Sequence, residues 1–240
     1  MKIPGVEVRR VASCGSTNSV LLAETPAAAV LLVAGEQTAG RGRRGRRWRS
    51  APGAGLTFSL ARRIRRPARE LAALSLVAGV AAARALRTLG VPAELKWPND
   101  LLAAGAKLGG ILVETRPAGR ETLAVFGIGI NLRGAGELTR QLRRRVASLD
   151  QFVVPREGDI IAGVVNSLMG AIDAFEAGGF ETARQAWESM HAHADQRVRV
   201  RLANGRSVSG IAAGLNEDGA LSLRTRGGLR SIRSGTLRAA

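Results

Sequence analysis

Hydrophobic and polar positions change period several times along this chain, and each change marks an element. Val6-Glu7-Val8-Arg9-Arg10-Val11 alternates imperfectly and predicts a strand. Ser16-Thr17-Asn18 offers hydroxyl and amide caps for a short helix through about Glu24. Ala29–Gly35 is apolar throughout and short enough for a buried strand. Gly40–Arg49 has no period of either kind, and its three glycines imply a bend or a close backbone approach. Leu56–Leu60 reads as a strand. Leu71–Leu89 is the clearest helix, closed by Gly90 and Pro92. Ala93–Trp97 reads as a strand stopped by Pro98, Leu101–Thr115 as a hairpin turning near Gly105, and Thr122–Leu132 as a further strand. Arg140–Leu149 reads as a weak basic helix. Ile160, Val164, Leu168 and Ile172 recur at helical spacing within Asp159–Glu176, and Phe180–His191 predicts one more helix.

Around Ala194 the texture changes. Arg197-Val198-Arg199-Val200-Arg201-Leu202 alternates strictly, and Asn204-Gly205 is a strong hairpin signal. Val208–Leu215, Ala220–Leu223 and Leu229–Ile232 follow as short strands. The expected organisation is a body over residues 1–193, mixing helices and strands, and a small all-β module over 194–240.

At 240 residues the chain can bury a full core without disulfide or metal staples. Its apolar share of 45% excludes a disordered or fibrous chain. One cysteine, Cys14, excludes an internal disulfide and a multi-cysteine zinc site and fits a reducing compartment. No signal-peptide pattern is visible, and Leu71–Ala83 is short of the roughly 20 apolar residues a membrane span needs. The expectation is a cytoplasmic protein with no membrane partner. Net charge is +17, from 36 basic and 19 acidic residues. Only Lys2, Lys96 and Lys107 among the 36 are lysine, so the rest are arginine. That excess suggests an anionic partner without naming it.

Two segments carry candidate chemistry. In Gly40-Arg41-Gly42-Arg43-Arg44-Gly45-Arg46-Arg47-Trp48-Arg49, bending glycines expose backbone N–H groups and arginines add forked donors. It is neither a Walker loop nor a GxGxxG turn. It suits a polyphosphate and a nucleic acid about equally. The second is Lys96-Trp97-Pro98-Asn99-Asp100 with Lys107-Leu108-Gly109-Gly110-Ile111-Leu112-Val113-Glu114. Two glycines would let a ligand lie against backbone while Lys107 supplies a point charge. A solvated strand end is the plainer reading of a lone lysine there. His191 and His193 are expected to be surface or junction residues. The Arg62–Arg69 and Arg140–Arg145 clusters are expected to be solvated faces, with docking of an acidic domain as the alternative.

Ser16-Thr17-Asn18, Gln37 with the Gly40–Trp48 run, the Lys96–Asp100 and Lys107–Glu114 blocks, and Gly127-Ile128-Gly129-Ile130-Asn131 together resemble the biotin protein ligase family in type, order and spacing. The resemblance implies an α+β fold: a mixed-sheet catalytic domain of the biotin/lipoate ligase type followed by a small C-terminal SH3-like β-barrel. It implies a ligase that joins biotin to ATP as biotinyl-5′-AMP, then passes biotin to a lysine of a biotin carboxyl carrier domain. ATP and biotin would be substrates, with Mg²⁺ accompanying the ATP and no dedicated carboxylate ligand evident. By the same resemblance Ser16, Thr17, Asn18, Gln37, Gly40, Arg41 and Gly110 would hold biotin. Arg41, Arg43, Arg46, Trp48, Asn99, Lys107, Gly129 and Asn131 would hold ATP and the adenylate. Lys107, Arg43 and Asp100 would be catalytic, with Asp100 pairing Arg43.

Gly15 stands where the family often has an acid. The pattern begins within the first 15 residues, ahead of which no helix-turn-helix segment is seen, so a ligase without specific DNA binding is expected. A homodimer is among the arrangements the resemblance leaves open. A lipoate–protein ligase and a non-enzymatic Arg-rich nucleic-acid-binding module are the competing readings.

Overall fold

Alternating and continuous apolar runs become two sheets in the computed structural model, which describes residues 1–48 and 53–239. Arg49, the last residue of the Gly/Arg segment, lies outside the described residues. The larger sheet is built from β1 (Glu7–Cys14), β2 (Val30–Gln37), β3 (Gly55–Ile64), β4 (Ala93–Lys96), β5 (Asp100–Ala103), β6 (Ala106–Ala118) and β7 (Glu121–Asn131). Its order is β1-β2-β3-β7-β6-β5-β4, parallel only between β1 and β2. The mixed-sheet expectation therefore holds.

Helices cover both faces. On one side α1 (Thr17–Glu24) sets Leu21 against Val30, Leu32, Leu123 and Val125. On the other lie α2 (Leu74–Thr88) and α4 (Glu157–Gly178), which share one core with Leu31, Phe58, Leu60, Phe126 and Ile128, while α5 (Glu181–Ser189) packs on both helices. Val30 and Leu32 thus point one way and Leu31 and Val33 the other, which is why β2 reads as a continuous apolar run. Both α4 and the stretch Ala68–Thr88 are long and apolar enough to cross a membrane. Here they serve as core helices: α2 and α4 pack on one another, and Leu74, Leu86, Leu168 and Ile172 are wholly buried. Truncating Leu168 to Ala would cost about 2–5 kcal/mol by the usual cavity penalty.

Two details differ from the sequence expectation. Ser16 sits at the N-cap of α1 without a side-chain capping bond. The basic helix expected over Arg140–Leu149 is instead α3 (Ala135–Leu142), ended by Arg143 in the left-handed conformation with φ 47°. Beyond it the chain returns to the sheet: the Ala147 N–H donates to the Lys107 carbonyl at 2.9 Å.

The C-terminal module is a five-stranded antiparallel sheet, β8 (Arg197–Arg201), β9 (Ser207–Leu215), β10 (Leu221–Thr225), β11 (Gly228–Ile232) and β12 (Thr236–Ala239), ordered β11-β10-β9-β8-β12. Strand β12 was absent from the sequence expectation. It is short, and only its pairing with β8 defines it. Trp97, fully buried, joins the two sheets by donating from Nε1 to the Gly219 carbonyl at 3.2 Å.

Candidate active site

Strand register lays one row of residues straight across the larger sheet. Lys96 lies opposite Asp100, Asp100 opposite Gly110, Gly110 opposite Gly129, and Gly129 opposite Thr57. Residues directly opposite share a face. The row therefore has a charged end, a bare middle and a hydroxyl end. A cavity of about 430 Å³ stands over it.

The bare middle is a consequence of glycine. A Cβ at Gly129 would come within 2.4 Å of the Trp48 ring, and one at Gly127 within 2.3 Å of Asn18 Oδ1. The Trp48 ring lies over this floor, and its Nε1 is buried without a hydrogen-bond partner among the described residues.

Beside the floor, α1 delivers a polar net. Gln37 Oε1 accepts from the Thr17 N–H at 2.8 Å, and Thr17 Oγ1 lies 2.6 Å from Ser59 Oγ. Ser59 donates to Asn18 Oδ1 at 2.6 Å, which leaves Thr17 to donate to Ser59 or Gln37. Asn18 Nδ2 donates to Glu114 at 2.8 Å and to the Leu112 carbonyl at 3.2 Å. Glu114 also receives Arg41, at 3.1 Å. Thr17, Asn18 and Ser59 are all buried. Buried polar groups are costly unless bonded, so the net fixes its members in place.

Above the floor the Gly/Arg segment folds into a small hairpin. The Trp48 N–H donates to the Gly40 carbonyl at 2.9 Å and the Gly42 N–H to the Arg46 carbonyl at 2.6 Å. Gly40 is needed there, since a Cβ would meet the Trp48 carbonyl at 2.7 Å. The second sheet holds the hairpin from outside: Arg46 donates to Thr236 Oγ1 at 2.9 Å and Arg44 to Ser234 Oγ at 3.3 Å. Arg43 carries no ion pair among the described residues. Burial, then the neighbouring Arg44 and Arg46, push its pKa down.

At the charged end the Lys107 ammonium donates to Asp100, whose other oxygen lies 3.5 Å from Lys96. A bulge between β5 and β6 breaks the register just there and turns Lys107 toward the acid. Burial dominates Lys107 and lowers its pKa, with the Asp100 charge opposing. Burial opposes ionisation of Asp100, yet Lys107 and Lys96 together hold its pKa below the ordinary value.

Most residues named from the sequence line this one cavity: Ser16, Thr17, Asn18, Gln37, Arg41, Arg43, Arg46, Trp48, Asn99, Asp100, Lys107, Gly110 and Gly129. Gly40 and Asn131 instead line an adjoining cavity of about 370 Å³, separated from the first by Trp48. The amide nitrogens of Asn99 and Asn131 are held by backbone carbonyls: Asn99 donates to Ile111 at 2.6 Å, and Asn131 to Lys107 at 3.2 Å and Ala147 at 3.0 Å.

One expectation is corrected. Asp100 does not pair with Arg43. The register sets it between Lys96 and Lys107, and it acts on Arg43 only through its charge. The Arg140–Arg145 cluster is exposed throughout, as expected, and its Arg143 and Arg144 stand at the rim of the cavity. The Arg62–Arg69 cluster is largely engaged in ion pairs, Arg62 with Asp173 and Glu176, Arg65 with Glu121 and Arg66 with Glu70. Sequence reasoning missed Thr57, Ser59 and the Gly235–Arg238 wall. A Thr-Phe-Ser strand carries no signal of its own, and β12 is too short to show a period.

Known proteins arrange the same elements. A profile of the biotin/lipoate A/B protein ligase family matches residues 8–131, and one of the biotin protein ligase C terminal domain matches residues 193–236. This chain belongs to the biotin/lipoate A/B protein ligase family. Within that family it is 33% identical over 213 residues to the bifunctional ligase/repressor BirA of Bacillus spizizenii, covering 85% of this chain and 64% of that one. The chain thus spans about two thirds of the length of that relative. It is 34% identical over 226 residues to the biotin–[acetyl-CoA-carboxylase] ligase of Mycobacterium tuberculosis, covering 90% and 83%. The solved biotin protein ligase from Aquifex aeolicus in complex with biotin and ATP superposes with a TM-score of 0.84, at 27% identity over 98% of this chain and 99% of that one.

Proposed function

We propose that this protein is an ATP-dependent biotin–protein ligase of the cytoplasm, acting on a lysine of a biotin carboxyl carrier domain. The observation that carries this reading is the convergence on one cavity of a neutral polar net, a glycine floor and the Lys96–Asp100–Lys107 group under an arginine hairpin. Biotin has a ureido ring at one end and a carboxylate at the other. The net of Thr17, Asn18, Gln37 and Ser59, with Ser16 beside it, suits the ring, which both donates and accepts. The floor at Gly110 and Gly129 lets the tail lie against backbone.

In the first step a carboxylate oxygen of biotin attacks the α-phosphorus of ATP. A new O–P bond forms, the bond to the β-phosphate oxygen breaks, and pyrophosphate leaves with the electron pair. Two anions must approach, so fixed positive charge is the main requirement. Lys107 supplies it at the reacting centre, and Asp100 positions Lys107 and keeps it charged. Arg41, Arg43 and Arg46 take the phosphates, and Trp48, between the two cavities, covers the adenylate. In the second step the acceptor lysine attacks the anhydride carbonyl, the amide forms, AMP leaves and the amine loses a proton.

Mg²⁺ has no ready protein cage. No group of three metal-ligating side chains occurs among the described residues, and Asp100, the acid in the cavity, is engaged by two lysines. In this reading the ion arrives with the triphosphate.

The test mixes protein, ATP, Mg²⁺, biotin or lipoate, and a carrier domain, and follows pyrophosphate and acceptor mass. Biotin-dependent pyrophosphate and a biotinylated acceptor are expected. Lipoate-dependent products would move the reading to a lipoate ligase, and no turnover would remove it.

A further inference from the structure

Behind the polar net stands an acid to which the proposed chemistry gives no part. Glu114 follows Gly110 and Leu112 at two-residue steps along β6, so all three belong to the cavity side of the sheet. Gly110 and Leu112 line the cavity, and Glu114 lies past them with its side chain 29% exposed. Asn18 bridges the gap. Register sets Ser59 opposite Gly127 and Gly127 opposite Leu112, and the Asn18 amide lies over that glycine, where no Cβ intrudes. One end of the amide reaches Ser59 and the other reaches Glu114.

Counting hydrogens gives the net a direction. The Glu114 carboxylate and the Leu112 carbonyl only accept, so Asn18 turns its amide nitrogen to them, at 2.8 and 3.2 Å. Its Oδ1 then faces Ser59, which directs its only hydroxyl hydrogen there at 2.6 Å. The 2.6 Å contact between Ser59 and Thr17 still requires a hydrogen, and Thr17 is left to supply it. Thr17 Oγ1 therefore stands in the cavity wall as an acceptor, and no donor reaches it among the described residues. The relay starts at its charged member, whose two oxygens also meet Arg41 at 3.1 and 3.2 Å. A carboxylate polarises the amide bonded to it, and the polarisation passes along the chain to the Thr17 oxygen.

We infer that Glu114 is a positioning residue for the ligand ring: acting through Asn18 and Ser59, it holds Thr17 Oγ1 as the acceptor for a ring N–H. The inference rests on the function proposed above and adds to it the origin of the pocket's preference for a ring that donates. A cyclic urea offers two N–H groups, and one of them meets an oxygen whose own hydrogen is already committed to Ser59. A dithiolane ring has no hydrogen to give. It would leave the buried Thr17 oxygen without a partner, which costs affinity. Glu114 itself stays beyond Asn18 and touches no ligand atom in this reading.

The experiment measures equilibrium biotin binding without ATP in a double-mutant cycle of Glu114→Gln and Thr17→Val. Each change keeps the shape of the side chain; the first removes the charge and the second the accepting hydroxyl. The biotin Kd is expected to rise about tenfold in Glu114→Gln, and by less than about twofold when the same change is made in Thr17→Val. A residue that only supports the fold would weaken both backgrounds alike. Equal rises in the two backgrounds overturn the inference and give the effect of Glu114 to its pairing with Arg41. No rise in either overturns it as well. Urea midpoints of every variant are taken alongside, and Asn18→Ala, which cuts the relay at its next member, carries the same cycle if Glu114→Gln does not fold. A wild-type protein that binds no biotin removes the proposed function and this inference with it, an outcome distinct from equal rises.

Discussion

Lys107 and Asp100 meet across a bulge in the β5–β6 hairpin, the lysine donating to an acid that also faces Lys96. The pair holds a cation in a place where burial disfavours it. Lys107→Ala is therefore expected to slow adenylate formation by about 10²-fold or more while leaving biotin binding within a few fold. Pyrophosphate release and equilibrium biotin binding check it. Near-normal release would remove Lys107 from the reacting centre.

Asp100→Asn makes a prediction with a definite sign. The carboxylate raises the Lys107 pKa against the lowering by burial, Arg144 and Lys96. Removing it lowers that pKa further, so Lys107 becomes neutral at lower pH. The alkaline limb of the pH–rate profile for pyrophosphate release is expected to move to lower pH. A profile displaced the other way, or merely scaled, would show that Asp100 does not act through Lys107.

Ser59 donates to Asn18 and lies against Thr17, with every partner buried. Ser59→Ala leaves Asn18 Oδ1 without its donor, at a cost of about 1–3 kcal/mol. Urea unfolding is expected to shift by that amount, and biotin affinity to fall with it. Intact affinity on a destabilised protein would separate the net from the ring-binding role proposed for it.

Gly129→Ala would place a methyl group where the Trp48 ring lies, 2.4 Å away in the present arrangement. The indole must move. The expected result is an altered tryptophan emission and a KM for ATP raised about tenfold, with stability changed by less than the about 1–3 kcal/mol of a strained core. Unaltered emission and KM would show that Trp48 need not lie on the floor.

His191 is buried at the junction of the two sheets, beside Trp187 and His193, with its pKa lowered by burial and then by His193 to about 4. The unfolded chain binds its proton near pH 6.5, so between about 6.5 and 4 the unfolded state carries more protons than the folded one. Stability is expected to fall as pH drops through that window, by an amount on the order of 3 kcal/mol in all. His191→Gln should flatten this part of the curve. Denaturant midpoints taken from pH 7 to pH 4 measure it, and an equally steep variant would assign the loss to other groups.

The sequence showed those parts of the site that are local. The Gly/Arg hairpin, the Lys96–Asp100 block and Gly109-Gly110 each stand out within a dozen residues, because glycine and cation have no reason to alternate in a core. The helix Leu74–Thr88 was legible from an Ala- and Leu-rich run closed by Gly90 and Pro92, and Glu157–Gly178 from its period. What stayed hidden depends on register. Ser59 and Thr57 look like any polar strand residues until β3 is paired with β7. Asp100 finds Lys107 through a bulge that no spacing rule announces. Arg144 stands at the cavity rim just past Arg143, whose left-handed conformation few sequences advertise.

The scarcity of lysine in this chain has a practical side. Lys96 and Lys107 are both held against Asp100, with side chains 24% and 18% exposed, while Lys2 stands in the open. Amine-directed labels and crosslinkers should therefore enter at the beginning of the chain and spare the rest. A dye or tether fixed at Lys2 would then follow the working protein without touching the two amines that face its cavity.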